Sequence, residues 1–224
     1  MSGSEPTGGP WFPLVLAGPS GSGKTTVARE LAGRRRDLLF SVSATTRRPR
    51  AHETDGRDYR FVDRDGFESL VSQRALLEWA EVHGELYGTP RANLVEAEEA
   101  GAHLLLDIDV QGARQLREGG LDAVAVFLLP PSGRQGLERL RRRGTEGGEE
   151  LARRLQTAGT ELEAIGLFDY VVVNDDLERT VATVEAILAA EACRVARVAD
   201  LSGRVKEITE EIDRSLPCAR ETEE

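Results

Sequence analysis

The chain has 224 residues, 40% hydrophobic and 30% charged, and carries a formal net charge of −10. That length suits one α/β domain with small insertions and is ample for a buried core. The acidic balance argues against a nucleic-acid scaffold, and no apolar run approaches the ~20 residues that a membrane span requires.

Residues 1–12 are rich in Gly, Ser and Pro, lack an apolar h-region, and read as a flexible leader rather than a signal peptide. Trp11 to Ala17 is a short apolar run ending at Gly18, the pattern of a buried strand entering a glycine turn. Thr25 to Ala32 has helical character and is expected to stop at Gly33, and Leu38 to Val42 follows as a second strand. From Ala44 to Gly101 the pattern turns polar. Strand-like pieces at Tyr59 to Val62 and Ala75 to Val82 flank a short helix near Gly66 to Gln73, with Phe61 and Trp79 expected in the core. The βα rhythm resumes with His103 to Ile108, then Ala123 to Leu129 closed by Pro130 and Pro131. Helices are expected over Gly136 to Arg143 and Glu149 to Ile165, a last strand at Asp169 to Val173, and a helix at Leu177 to Ala190. Alternating strands and helices predict a parallel sheet covered by helices on both faces. Cys193 and Cys218 lack metal-ligand spacing, which suits a reducing, cytoplasmic setting.

Gly18-Pro19-Ser20-Gly21-Ser22-Gly23-Lys24-Thr25 fits G-x-x-x-x-G-K-[ST], after an apolar strand and before a helix. Such a loop turns backbone N–H groups inward around phosphate oxygens, at a helix N-terminus that favours anions. Lys24 is placed to reach the β- and γ-phosphates of ATP, and the Thr25 hydroxyl to ligand Mg²⁺. The only other lysine is Lys206, so the basic side chains are otherwise arginines, clustered at Arg34 to Arg36, Arg47 to Arg50 and Arg134 through Arg154. Local guanidinium clusters on an acidic protein suit small, highly anionic ligands, whereas Arg34 to Arg36 read as a solvated helix face. Asp107 and Asp109 end a buried strand, where α/β sheets bind ligands.

Further segments occur in order: Ser43-Ala44-Thr45-Thr46-Arg47-Arg48-Pro49-Arg50, Gly56-Arg57-Asp58-Tyr59-Arg60-Phe61-Val62, Leu77-Glu78-Trp79-Ala80 and Leu86-Tyr87-Gly88-Thr89. They are followed by Leu106-Asp107-Ile108-Asp109-Val110-Gln111-Gly112 and Val173-Asn174-Asp175-Asp176. Together with the phosphate loop these closely resemble the guanylate kinases, P-loop nucleoside monophosphate kinases, over residues 13–190. The resemblance implies an ATP:GMP phosphotransferase acting on GMP and dGMP in purine nucleotide metabolism. It implies a core of residues 13–43, 102–133 and 166–190, a GMP-binding module at 44–101 and a lid at 134–165. Residues 191–224 read as a polar, helical extension.

By the same resemblance, Arg47, Arg50, Tyr59 and Tyr87 grip the GMP phosphate, and guanidinium forks and phenol hydroxyls are suitable donors to it. Glu78 is the expected base reader, because a carboxylate accepts from guanine N1–H and N2–H₂ whereas adenine presents an acceptor at N1. Ser43 and Thr89 are lesser guanine contacts; the family often carries serine where Thr89 stands. Asp107 sits where a Walker-B-like carboxylate would hold Mg²⁺ and Asp109 near the acceptor nucleotide, though which lies nearer the metal stays open. Arg139, Arg143 and Arg154 match lid arginines, Thr26 completes the ATP-binding loop, and the adenine contact falls at Asn174. With Lys24 and Arg50, the lid arginines are expected to neutralise charge during in-line transfer from ATP to an acceptor that is already largely dianionic. Two other readings keep the motif: kinase action on a phosphorylated sugar, and an inactive guanylate-kinase-like binding module. ATP and GMP are the expected partners, with no nucleic acid or membrane, and monomer and homo-oligomer are both open.

Overall fold

A computed structural model describes residues 11–51, 53–82, 84–143 and 157–215. Five parallel strands form the central sheet in the order β2-β7-β1-β8-β9. They are β1 (Leu14–Ala17), β2 (Leu38–Phe40), β7 (His103–Asp107), β8 (Val124–Leu129) and β9 (Tyr170–Val173). The inner strands β1, β7 and β8 are short, apolar and buried on both sides, as a sheet covered on two faces requires, while the edge strand β9 leaves Val171 and Val173 about half exposed. Alternation along β1 divides the core. Leu14 and Leu16 join Val27, Ala28 and Leu31 of α1 (Lys24–Arg34) and Val181, Val184 and Leu188 of α7 (Leu177–Ala192) on one face. Val15 and Ala17 face the other side, where Ala97 of α3 (Arg91–Glu99) and Ala113 and Leu116 of α4 (Val110–Glu118) close the layer.

A second sheet, ordered β4-β3-β6-β5, is built from β3 (Ala44–Thr45), β4 (Arg60–Phe61), β5 (Leu76–Val82) and β6 (Glu85–Pro90), with α2 (Arg64–Ser72) beside it. Phe67, Leu76 and Leu86 form its own small core with Ala44. Beyond β8 come α5 (Gly133–Arg143), the helical residues 157–163 (α6) and a 3₁₀ turn at Ala164–Leu167. α8 (Leu201–Ser215) ends the described chain with no buried residue; Val205, Ile208 and Ile212 stand more than half exposed.

Several elements differ from the sequence expectation. α1 runs through Gly33 to Arg34, since one glycine costs a helix only about 1 kcal/mol and three buried side chains hold this one. β6 and α3 were not expected. Gly88 and Pro90 look like turn residues, yet Gly88 is in the strand because a Cβ there would press on Leu76, Phe67 and the Glu78 carbonyl. α3 has a buried asparagine where an apolar stripe would be sought: the Asn93 amide donates to Ser41 Oγ at 2.9 Å and Val42 O at 3.1 Å. α4 was also missed, and Asp109 caps it by accepting from Gly112 N at 2.7 Å. Trp79 is not a core residue but 41% exposed, because the strand alternation that turns Glu78 inward turns Trp79 outward. The leader residues 1–10, the glycine-rich segment 144–148, Arg154 and Cys218 lie outside the described residues, as does the first part of the helix expected at Glu149 to Ile165.

Candidate active site

The loop between β1 and α1 turns on three glycines with positive φ: Gly18 at 144°, Gly21 at 87° and Gly23 at 93°. A Cβ on Gly18 would collide with the Leu128 carbonyl, and one on Gly23 with the Asn174 amide. These close approaches explain why the loop needs glycine there. Ser22 N donates to Pro19 O at 3.0 Å, tightening the turn, while the Ser22 hydroxyl is fully buried with no hydrogen-bond partner among the described residues. Lys24 Nζ folds back to Gly18 O at 2.7 Å, and Thr25 Oγ1 donates to Asp107 Oδ2 at 2.6 Å.

The Asn174 side chain faces inward, not toward an open base site. Its amide donates to Ser22 O at 2.7 Å, and its carbonyl oxygen accepts from Thr180 Oγ1 at 3.2 Å. Arg139 Nη2 donates to Asn174 O at 3.0 Å and its Nη1 to Ser22 O at 3.5 Å, so this arginine sits against the phosphate loop. The side chain of Arg143 and all of Arg154 are outside the described residues.

A cleft of about 190 Å³ opens between the two sheets. Lys24, Thr25, Asp107 and Asp109 line it from the core side; Ser43, Tyr59, Glu78 and Tyr87 line it from the second sheet. Glu78 is 5% exposed, and its Oε1 accepts from Thr89 Oγ1 at 2.5 Å. Its other oxygen lies against Gly112, where a Cβ would collide with it. Burial raises the Glu78 carboxyl to about 7, with the Asp109 charge adding to the shift and the Thr89 hydrogen bond opposing it. Tyr59 is pushed up to about 12 by burial and by Asp107, so its phenol stays protonated and can donate.

Arg47 Nε donates to Tyr87 Oη at 3.1 Å, while its two terminal nitrogens grip Glu53 at 3.0 and 2.9 Å. Glu53 also accepts from Arg50 N at 2.8 Å. Burial works against the Glu53 charge, but these bonds outweigh it and hold the carboxyl below its usual range. The Arg50 side chain is 62% exposed, 3.7 Å from Glu53, and outside the cleft lining. Sequence reading missed Glu53, although an acid following three closely spaced arginines, Arg47, Arg48 and Arg50, was the available signal. It also missed Glu161 on α6, whose Oε2 accepts from Ser20 N at 3.2 Å in the phosphate loop; nothing in the local sequence marks that contact.

No described helix is long and apolar enough to cross a membrane. A glycine-turned phosphate loop on a parallel sheet, sharing one cleft with an acceptor-side carboxylate and phenols, defines a P-loop phosphotransferase. The guanylate kinase family model matches residues 12–191. A guanylate kinase from Caldanaerobacter subterraneus subsp. tengcongensis is 42% identical over 194 residues, covering 87% of this chain and 94% of that relative. One from Syntrophotalea carbinolica is 45% identical over 195 residues, covering 87% and 93%. The crystal structure of guanylate kinase from Anaplasma phagocytophilum superposes with a TM-score of 0.73 at 37% identity, over 89% of this chain and 95% of that one. The chain belongs to the guanylate kinase family.

Proposed function

We propose that the chain transfers the γ-phosphate of ATP to GMP, giving ADP and GDP, and that the cleft between the sheets is where it does so. The observation that carries this is the shared lining: Lys24 and Thr25 of the phosphate loop stand across one cavity from Glu78, Tyr59 and Tyr87. Neither a sugar-phosphate acceptor nor an inactive binding module is favoured, since family membership comes with an unbroken phosphate loop.

In this reading Gly18 to Thr26 wrap the ATP phosphates. Lys24 exchanges its bond to Gly18 O for the β- and γ-phosphates, and α1 presents its N-terminus to them. The acceptor phosphate is met by Tyr59, Tyr87 and Arg47, with Arg50 swinging in from the surface. The base lies against Ser43, Glu78, Thr89 and Asp109. The second pKa of a phosphate monoester is near ~6, so its oxygen attacks the γ-phosphorus in line without a general base. The P–O bond to the β-phosphate breaks as the new one forms, and Lys24, Arg139, Arg143 and Arg154 offset the moving charge. Asn174 acts by fixing the Ser22 carbonyl and, through its own carbonyl, Arg139.

The pair formed by the Thr25 hydroxyl and the Asp107 carboxylate fits Mg²⁺, a hard cation that takes few protein oxygens and keeps waters and phosphate ligands. Among the described residues no group of three or more His, Cys, Asp or Glu side chains gathers as a protein metal cage, which suits that mode. When bound there the ion supplies charge neutralisation on the nucleotide phosphates. Small-molecule substrates, action in the cytoplasm, and no nucleic-acid or membrane partner complete the reading.

The test is ADP release measured with Mg-ATP and, in parallel, GMP, dGMP, AMP, CMP, UMP and ribose bisphosphate. Turnover with GMP and dGMP alone is expected. Turnover with the sugar phosphate only would remove Glu78 from base reading, and silence with every acceptor from folded protein would remove catalysis.

A further inference from the structure

Glu78 sits on β5, the edge strand of the second sheet, which pairs only with β6. The pairing is irregular just before it. Leu76 opposes Pro90 and Glu78 opposes Thr89, so Leu77 has no partner across the ladder. Such an irregularity re-aims the next side chain, and an edge strand has no second neighbour to hold that aim.

The open edge of β5 is met by a side chain from the other sheet's layer. Gln115 of α4 accepts from Trp79 N at 3.2 Å through Oε1 and donates to Trp79 O at 2.6 Å through Nε2. The primary amide thus reproduces both bonds of a strand neighbour at the residue directly after Glu78. Three residues earlier on the same helix, Gly112 lies against the second Glu78 oxygen. α4 itself starts at the Asp109 cap, directly beyond the strand that delivers Asp107 to Thr25. One helix therefore ties the phosphate-loop side of the cleft to the acceptor side.

We propose that Gln115 is a positioning residue for acceptor specificity: its amide clamp on Trp79 fixes β5 so that the Glu78 carboxylate stands at the distance and angle the acceptor base requires. The proposal rests on Glu78 as the base reader. It assigns Gln115 no contact with substrate. Losing the clamp frees an edge strand and leaves the Trp79 amide and carbonyl to solvent, which an exposed site tolerates at small cost in stability. The effect falls on aim and not on folding.

The experiment is a double-mutant cycle on the full chain, with steady-state kinetics and thermal unfolding for Gln115→Leu, Glu78→Gln and the pair. Gln115→Leu is expected to raise the KM for GMP about tenfold while the KM for ATP stays within about twofold. Gln115→Glu, which keeps the acceptor for Trp79 N–H but loses the donor, should fall between Gln115→Leu and the parent. In the Glu78→Gln background the Gln115→Leu effect should shrink to about twofold or less, because the carboxylate it aims is gone. A full tenfold effect in that background overturns the proposal, as does a lowered Tm with an unchanged KM for GMP. An unchanged KM for GMP in Glu78→Gln alone would refute the base-reading role and the proposal with it. A normal Glu78→Gln defect beside a silent Gln115→Leu refutes the proposal alone.

Discussion

Replacing Glu78 by Gln should make the ligand-free protein more stable and a worse binder of GMP. Burial lifts the Glu78 carboxyl from 4.5 to about 7. Between those values the folded chain holds a proton that the unfolded chain has lost, so this group's contribution falls as pH rises through the window. At 1.36 kcal/mol per unit the charged form costs about 3 kcal/mol by pH 8, and about 1 kcal/mol or less at pH 5. Glutamine has nearly the shape of the protonated acid and never ionises. Glu78→Gln should therefore exceed the parent by about 1 kcal/mol or less at pH 5 and by about 3 kcal/mol at pH 8, the latter roughly 6–12 °C in Tm for a chain of this size. The opposite dependence from Glu53, Asp37 and Asp58, whose carboxyls are held low, cancels because both proteins share it. Thermal unfolding of both proteins from pH 5 to 8 reads the difference. A gap that is flat with pH, or a variant less stable at pH 8, would refute the reasoning.

The binding half has its own signature. Guanine's two donors stabilise the carboxylate, so binding below pH 7 must expel the Glu78 proton. Calorimetry at pH 6 in buffers of different ionisation enthalpy should register close to one more proton released by the parent than by Glu78→Gln; the phosphate of GMP contributes equally to both.

Lys24→Ala should cut kcat by at least ~10³, the range of a key charge contact, with a drop below tenfold refuting its role. Gly18→Ala combines a φ of 144° with a collision on the Leu128 carbonyl and should cost at least about 2 kcal/mol in denaturant unfolding. A loss under about 0.5 kcal/mol would mean that the loop can shift away from β8. Glu53→Gln frees Arg47 from its two-pronged pair and should raise the KM for GMP about tenfold, with the KM for ATP within about twofold. Equal effects on both substrates would make Glu53 a general fold contact.

The parallel sheet was legible because its strands are short continuous apolar runs, each followed by a turn signal. The phosphate loop was legible because its glycines and Lys24 have no cheaper explanation. What stayed hidden is what depends on partners far apart in the chain. β6 holds a glycine and a proline that look like turn residues until Leu76, Phe67 and Glu78 are seen closing over Gly88. α4 lacks a strong apolar opening, and its start is set by the Asp109 cap. Asn174 is recognisable as a motif position, yet only the fold reveals that its amide is spent on Ser22, 152 residues away. Gln115 is an ordinary exposed-type residue until β5 arrives against it.

The stress on Glu78 also bears on how a site of this kind could tell guanine from adenine. A ten-thousandfold preference needs about 5 kcal/mol. Two hydrogen bonds to a charged acceptor supply roughly 1.5–3 kcal/mol each, which alone reaches that range. Hydrogen bonds to an exposed carboxylate would supply less, since water already satisfies it. Among the described residues Glu78 has only Thr89 as a hydrogen-bond donor in its buried place, so on the proposed reading the ligand's donors would replace little and restore most of what burial cost. Adenine would bring a lone pair at N1 against that same carboxylate and leave the cost in place. On the proposed reading of Glu78, an apo site that burial makes unfavourable is the source of selectivity, and any change that relieves it without ligand, Glu78→Gln included, would give stability in exchange for discrimination.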